Sequence, residues 1–149
     1  MTEIIEMMTA LLSPIVALTV TYIAYQQWKL NAAKEKREAG ADRLKVYMVV
    51  KKFLESVDQS GAVDPKLYAD LQESLALADF LFDSEVRDWL DGVDADASSW
   101  LDIMRVISSS REGAPEGWVE KELAKNEKMI DRLQEAHCDL FSVFENKII

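Results

Sequence analysis

MMTALLSPIVALTVTYIAYQQW, residues 7–28, carries no charged side chain over 22 positions. Coiled into a helix rising about 1.5 Å per residue it reaches roughly 33 Å, against about 30 Å for a hydrocarbon core. The run therefore predicts a transmembrane helix, and the rest of the chain is read relative to it. The polar side chains in its middle are hydroxyls, Ser13, Thr19 and Thr21, which can bond back to helix carbonyls and are cheap in lipid. Pro14 falls early in the run, where a kink or a frayed first turn is tolerated. Tyr22, Tyr25 and Trp28, followed at once by Lys29, form the border expected where hydrocarbon gives way to headgroups. Gln26 and Gln27 at that rim are candidate hydrogen-bonding contacts between two copies of the helix, beside the plainer reading as interfacial polar residues.

Charge on the two flanks differs in sign. Glu3 and Glu6 precede the run, whereas a basic collar of Lys29, Lys34, Lys36, Arg37, Arg43 and Lys45 follows it. The excess of lysine and arginine on one side predicts a single-pass membrane protein, amino terminus outside and carboxyl-terminal domain in the cytoplasm. No basic region precedes the apolar run, so it does not read as a cleaved secretory signal. Net charge over the 149 residues is −10, unevenly spread. Residues 29–57 hold eight bases against four acids, and residues 58–149 hold nine bases against 21 acids. A collar drawn to an anionic leaflet and a body repelled by it make the lipid bilayer the first expected partner. An acidic body has no basic face for phosphates, which argues against nucleic acid. The single cysteine, Cys138, excludes an internal disulfide and fits a reducing compartment.

Three domains are expected: residues 1–28, tail and span; residues 29–43, a basic stalk; residues 44–149, an acidic helical bundle. Residues 29–39 are strong helix formers with almost no apolar face. Leu44, Tyr47, Val50 or Met48, Phe53, Leu54 and Val57 then recur at three- and four-residue intervals as one apolar stripe. DQSGAVDP, residues 58–65, is a break, with Asp64 as an N-cap and Pro65 in the first turn of the next helix. That helix carries Leu67, Tyr68, Leu71, Leu75, Ala78 and Phe82. Asp83 or Ser84 caps another, carrying Val86, Trp89, Leu90, Val93, Ala97, Trp100, Leu101, Met104 and Ile107, with Gly92 and residues 94–99 as its weak points. SSSREGAPEG, residues 108–117, is a second loop. A last helix starts near Pro115 or Trp118 and carries Val119, Leu123, Met129 or Ile130, Leu133, His137, Leu140, Phe141 and Phe144. No alternating pattern predicts a sheet. The expected fold is all-α: one N-terminal transmembrane helix, then a small antiparallel cytoplasmic bundle of about four helices.

Residues 21–57, TYIAYQQWKLNAAKEKREAGADRLKVYMVVKKFLESV, resemble a family of small bacterial single-pass membrane proteins often carried in prophages or genomic islands. The resemblance lies in the YIAYQQ exit at residues 22–27, the lysine-rich continuation, and Asp42, Arg43 and Tyr47 heading an amphipathic helix with Phe53 and Leu54. The chain departs from that pattern at Gly40 and Ala41, where bulkier apolar residues are typical. The resemblance implies the architecture and a bacterial inner-membrane location, and no catalytic residues.

Few residues suggest chemistry. Asp83, Glu85, Asp88, Asp91, Asp94 and Asp96 crowd one stretch, yet calcium-loop spacing from Asp94 fails at Ser99, where glycine is needed, and at Arg105, where a bidentate carboxylate is needed. They read as an acidic face suited to a basic protein surface. His137 and Cys138 are adjacent, hence about 100° apart on a helix and unable to share an ion. Trp89, Trp100, Trp118, Phe80, Phe82, Phe141 and Phe144 are expected in the core, with a docking surface as the alternative. Phosphate loops, GxSxG and HExxH are absent. No catalytic residue, metal site, cofactor or small-molecule substrate is expected. The function read from the sequence is a membrane-anchored, non-enzymatic interaction or scaffold protein, acting on a cytoplasmic partner or on itself as a homo-oligomer. The alternative is a membrane-active effector of a mobile element or defence island, acting through self-association of the span.

Overall fold

The computed structural model describes residues 2–110, 115 and 117–148, with the side chains of residues 2–13 outside the description. Among the described residues the chain is all-helical, with four helices: α1 (Thr2–Ser60), α2 (Pro65–Leu81), α3 (Ser84–Ser109) and α4 (Trp118–Phe144). It divides into two compact units, Met1–Ala39 and Gly40–Ile149.

In the first unit the expectation of a transmembrane helix is corrected. Among the described residues no helix is long and apolar enough to cross a membrane. Of the expected span, the side chains of residues 7–13 lie outside the description. The remainder, residues 14–28, has 15 positions, roughly 22 Å of helix against the about 30 Å required. Lys29, Lys34 and Lys36 follow at once. The fold is thus four helices in all, not a span plus about four, and the expected stalk is part of α1. Ile15, Leu18, Ile23, Trp28 and Leu30 are exposed along this unit. Thr19 and Thr21 each donate to the carbonyl four residues back, at 2.8 Å.

In the second unit the remainder of α1 joins α2, α3 and α4 in an antiparallel bundle. Direction follows from paired contacts. Arg43 near the start of this part of α1 reaches the last carbonyl of α2, at Leu81, whereas Phe53 meets Tyr68 near the beginning of α2. Tyr68 in turn reaches Asp94 on α3. Trp89, early in α3, meets Phe144 at the end of α4, while Asp96 pairs with Arg132 further back. Tyr47 with Phe144 and Asp58 with His137 close α4 onto α1.

Local chemistry sets each boundary. Gly61, at φ 63°, follows α1 in the left-handed conformation that favours glycine, and its N–H bonds the carbonyl of Val57 at 2.8 Å. Asp64 accepts from the Lys66 N–H at 2.8 Å with Pro65 in the first turn. Asp83 accepts from the Val86 N–H at 3.3 Å and caps α3. α3 runs unbroken through Gly92 because its stripe of Val86, Leu90, Val93 and Ala97 is buried. Burial of that stripe outweighs the roughly 1 kcal/mol cost of an internal glycine. Of the second expected loop, residues 111–114 and 116 lie outside the described residues. Gly117, at φ 80°, stands at the N-cap of α4.

The core is drawn from Val46, Val50, Phe53, Leu54 and Val57 of α1, Leu71 and Ala78 of α2, the α3 stripe, and Leu133, Leu140 and Phe144 of α4. Trp89 and Trp100 pack against it half-buried, and Trp118 is half-buried at the start of α4. Phe80 and Phe141, expected inside, are corrected: they are 89% and 65% exposed. Phe80 lies two positions after Ala78, on the far side of a helix whose inward face is Leu71, Ser74 and Ala78.

Among the described residues every core residue lies at or after position 46. A chain starting at Gly40 is therefore expected to fold cooperatively, with helical circular dichroism and one urea transition; a non-cooperative transition would contradict a self-sufficient second unit. Phe144→Ala in that unit should lower unfolding free energy by about 3–5 kcal/mol, read from the urea midpoint at unchanged slope.

Candidate functional site

The acidic residues of α3 separate into two groups. Asp83, Glu85, Asp94, Asp96 and Asp102 are tied to protein partners. Lys147 bridges Asp83 and Glu85, Arg132 pairs with Asp96 at 3.2 Å, and Arg105 with Asp102 at 3.3 Å. The Tyr68 hydroxyl donates to Asp94 at 2.8 Å, and the Gln72 amide donates to the same carboxylate and, at 2.8 Å, to the Tyr68 oxygen. Asp88 and Asp91 are exposed, and among the described residues neither has an ion-pair partner.

Asp91 faces a groove of about 240 Å³ between α2 and α3, whose wall includes Gln72, Asp79, Arg87 and Asp94. Leu90 and Ala78 form its floor and place both helices by core burial. Three carboxylates against one guanidinium make the groove acidic. Burial first, and then the hydrogen bond and charge of Asp94, push the Tyr68 hydroxyl above its ordinary value of 10.0, so it remains a neutral donor. Asp94 is held as an acceptor by two protein donors, and the cluster works as a polar joint between α2 and α3. Asp79 and Asp91 keep their oxygens turned to solvent. Among the described residues no group of three or more histidine, cysteine, aspartate or glutamate side chains is arranged to hold a metal.

A second constellation was not legible in the sequence. Arg43, expected in the basic collar, is instead part of the bundle: its Nε donates to the Leu81 carbonyl at 2.9 Å and its Nη1 to the Lys147 carbonyl at 3.3 Å. It thereby satisfies a carbonyl left open at the end of α2. Lys147 completes the lock through Asp83, which also caps α3. The hydrogen bond from Lys147, and then that from the Val86 N–H, hold the Asp83 carboxyl below its ordinary value of 3.8. The bonds to Asp83 and Glu85 raise Lys147 above 10.5. No sequence pattern marks Lys147 for this role, since its partners lie 64 and 62 positions away.

The remaining expected sites are dispersed. Tyr22 accepts a hydrogen bond from Gln26 at 2.8 Å within the same helix, which occupies one of the two glutamines proposed for contacts between copies. Tyr25 and Trp28 contact each other with ring centroids 6.2 Å apart. Lys29, Lys36 and Arg37 are exposed, as is Lys34, which pairs with Glu38 at 3.7 Å. Lys45 lies on the outer face of α1 within the bundle. His137 stands half-buried, 3.6 Å from Asp58, and Cys138 is exposed. The chain matches no protein-family model, and neither a curated protein nor a solved structure shows detectable similarity to it.

The lock makes two predictions. Arg43→Met should cost about 1.5–3 kcal/mol in urea unfolding, the range for hydrogen bonds made by a charged group. A carboxyl whose folded pKa is depressed contributes stability above its unfolded value and loses it as pH falls through the folded one. The stability gap between the native chain and Lys147→Met should therefore hold near neutrality and close below about pH 4. A gap unchanged at about pH 2 would remove Asp83 from the lock.

Proposed function

We propose that the second unit is a non-enzymatic interaction module whose acidic face, on the outer side of α3 and along the α2–α3 groove, engages a basic surface of a protein partner. The observation that supports this reading is the division of the carboxylates. Those that the bundle needs are neutralised internally, while Asp79, Asp88 and Asp91 stand exposed without an ion-pair partner among the described residues. They sit on a segment holding 21 acids against nine bases. Exposed charge of one sign speeds encounter and selects partners of the opposite sign.

The test is fluorescence anisotropy with a labelled lysine-rich helical peptide and an uncharged sibling. The native chain should bind the lysine-rich peptide alone, more weakly as salt rises. Changing Asp79, Asp88 and Asp91 together to asparagine should weaken binding by roughly tenfold or more, equivalent to about 1.4 kcal/mol. The thermal midpoint should hold, because all three side chains are exposed. Equal affinity in native and triple variant, or affinity indifferent to salt, would refute the acidic face as the docking surface.

A further inference from the structure

The outer face of α1 within the bundle carries a second surface, opposite in sign to the one just described. Ala41, Leu44, Met48, Lys52 and Glu55 recur at three- and four-residue intervals and, with Lys45, Val49 and Lys51, line a shallow groove of about 690 Å³. Leu44 is 47% exposed and Met48 54%, whereas Val46, Val50 and Leu54 on the inward side of the same helix are fully buried. α1 therefore has two apolar stripes, and the bundle covers only one. Among the described residues none of Lys45, Lys51 and Lys52 has a carboxylate within 4 Å. The groove continues towards α2, where Lys45, Val49 and Lys52 face Leu67, Asp70, Glu73 and Leu77. Phe80, three positions beyond Leu77 and 89% exposed, extends the apolar surface along α2.

From this juxtaposition we infer that the Leu44–Met48 strip, with its rim of Lys45, Lys51 and Lys52, is a docking groove for an acidic amphipathic helix of a partner protein. Charge complementarity selects that occupant: Lys45, Lys51 and Lys52 border the strip against Glu55, with Asp70 and Glu73 confined to its α2 side, on a body otherwise strongly acidic. A second copy of the chain fits poorly. Antiparallel pairing of two α1 helices about Met48 sets Lys45 against Lys51 and Leu44 against Lys52, and parallel pairing sets each lysine against itself. The chain's own acidic helix α3 has its apolar stripe, Val86, Leu90, Val93 and Ala97, committed to the core. A uniformly anionic surface meets Asp70 and Glu73 beside the strip, which repel it. A helix places apolar residues in the groove and a few carboxylates against the lysines alone, the helix-in-groove mode of recognition.

The experiment uses the full chain in a mild non-ionic detergent that masks the exposed apolar residues of the first unit. The probe is a fluorescein-labelled helical peptide with leucines at three- and four-residue spacing flanked by glutamates; its sibling has glutamines in place of the glutamates. The acidic peptide should bind, and the glutamine sibling should bind at least about tenfold more weakly. Met48→Asp and, separately, Lys51→Glu with Lys52→Glu should each weaken binding by about tenfold or more. Helical content and thermal midpoint should hold, because all three positions are exposed; the lysine pair keeps the test informative should Met48→Asp lose structure. Equal binding of the two peptides, or binding retained in both variants, overturns the proposal. So does a dimer in sedimentation that Met48→Asp abolishes, which would make a second copy the occupant. Capture on phosphatidylglycerol vesicles that the acidic peptide does not compete away would assign the strip to lipid instead. Neither peptide result depends on Asp79, Asp88 or Asp91, so the acidic face stands or falls separately.

Discussion

The ring of Phe144 is where the bundle closes. At the end of α4 and fully buried, it meets one aromatic side chain from each other part of the fold: Tyr47 of α1 at 5.5 Å between centroids, Phe82 after α2 at 5.2 Å, and Trp89 of α3 at 6.0 Å. All three contacts are edge-on, the arrangement that aligns the positive rim of one ring with the negative face of another. Four helices joined by short connections have many ways of lying against each other. One large side chain seated among three aromatic partners fixes the register of all of them at one end, because core side chains interdigitate at near-crystalline density and a shift of one turn would leave a void.

Around that apolar point lies a polar frame that depends on it. Arg43 reaches the end of α2 and the chain beyond α4 only because Phe144 brings α4 against α1 at that level. Lys147, three residues past Phe144, can then bridge Asp83 and Glu85 at the start of α3. The order of cause runs from apolar packing to polar satisfaction: exposed ion pairs are worth little by themselves, but here they close helix ends whose carbonyl and N–H groups would otherwise lack partners. The same order places the candidate acidic face. Burial of Leu90 and Ala78 sets α2 beside α3, the Tyr68–Asp94–Gln72 joint fixes their spacing, and Asp79 and Asp91 are left outward as a result.

What the sequence revealed was whatever depends on neighbours within a turn or two. The stripes at 44–57, 67–82 and 86–107, the Asp64 and Asp83 caps and the turn at Gly61 are local features, and the helices lie where those features put them. Three kinds of reading failed for physical reasons. Charge runs do not tell which carboxylates will find distant partners, so neither the Lys147 partner of Asp83 nor the Tyr68 partner of Asp94 was legible. Helical spacing does not tell which of two apolar residues close in sequence faces inward, so Phe80 and Phe82 looked alike although only Phe82 is buried. Hydropathy of residues 7–28 was read as a length sufficient to span a bilayer, whereas among the described residues no helix is long and apolar enough to cross one. Exposed apolar side chains such as Leu18 and Trp28 remain, and a surface of that kind on one unit marks a place of contact.

The order of helices also decides how the two surfaces of the bundle relate. Contacts run from α1 to α2, α2 to α3, α3 to α4 and α4 back to α1, so α1 and α3 stand across the diagonal of the bundle. The basic-rimmed apolar strip lies on the outer side of α1, and the free carboxylates Asp88 and Asp91 lie on the outer side of α3. Faces on diagonal helices point away from each other, with a core of packed side chains between them. Charges of opposite sign held apart in this way do not neutralise one another, and at physiological ionic strength, where screening acts over about 8 Å, each presents its own field to solvent. A partner seated on one face would leave the other open, so the two proposed contacts do not compete for the same surface.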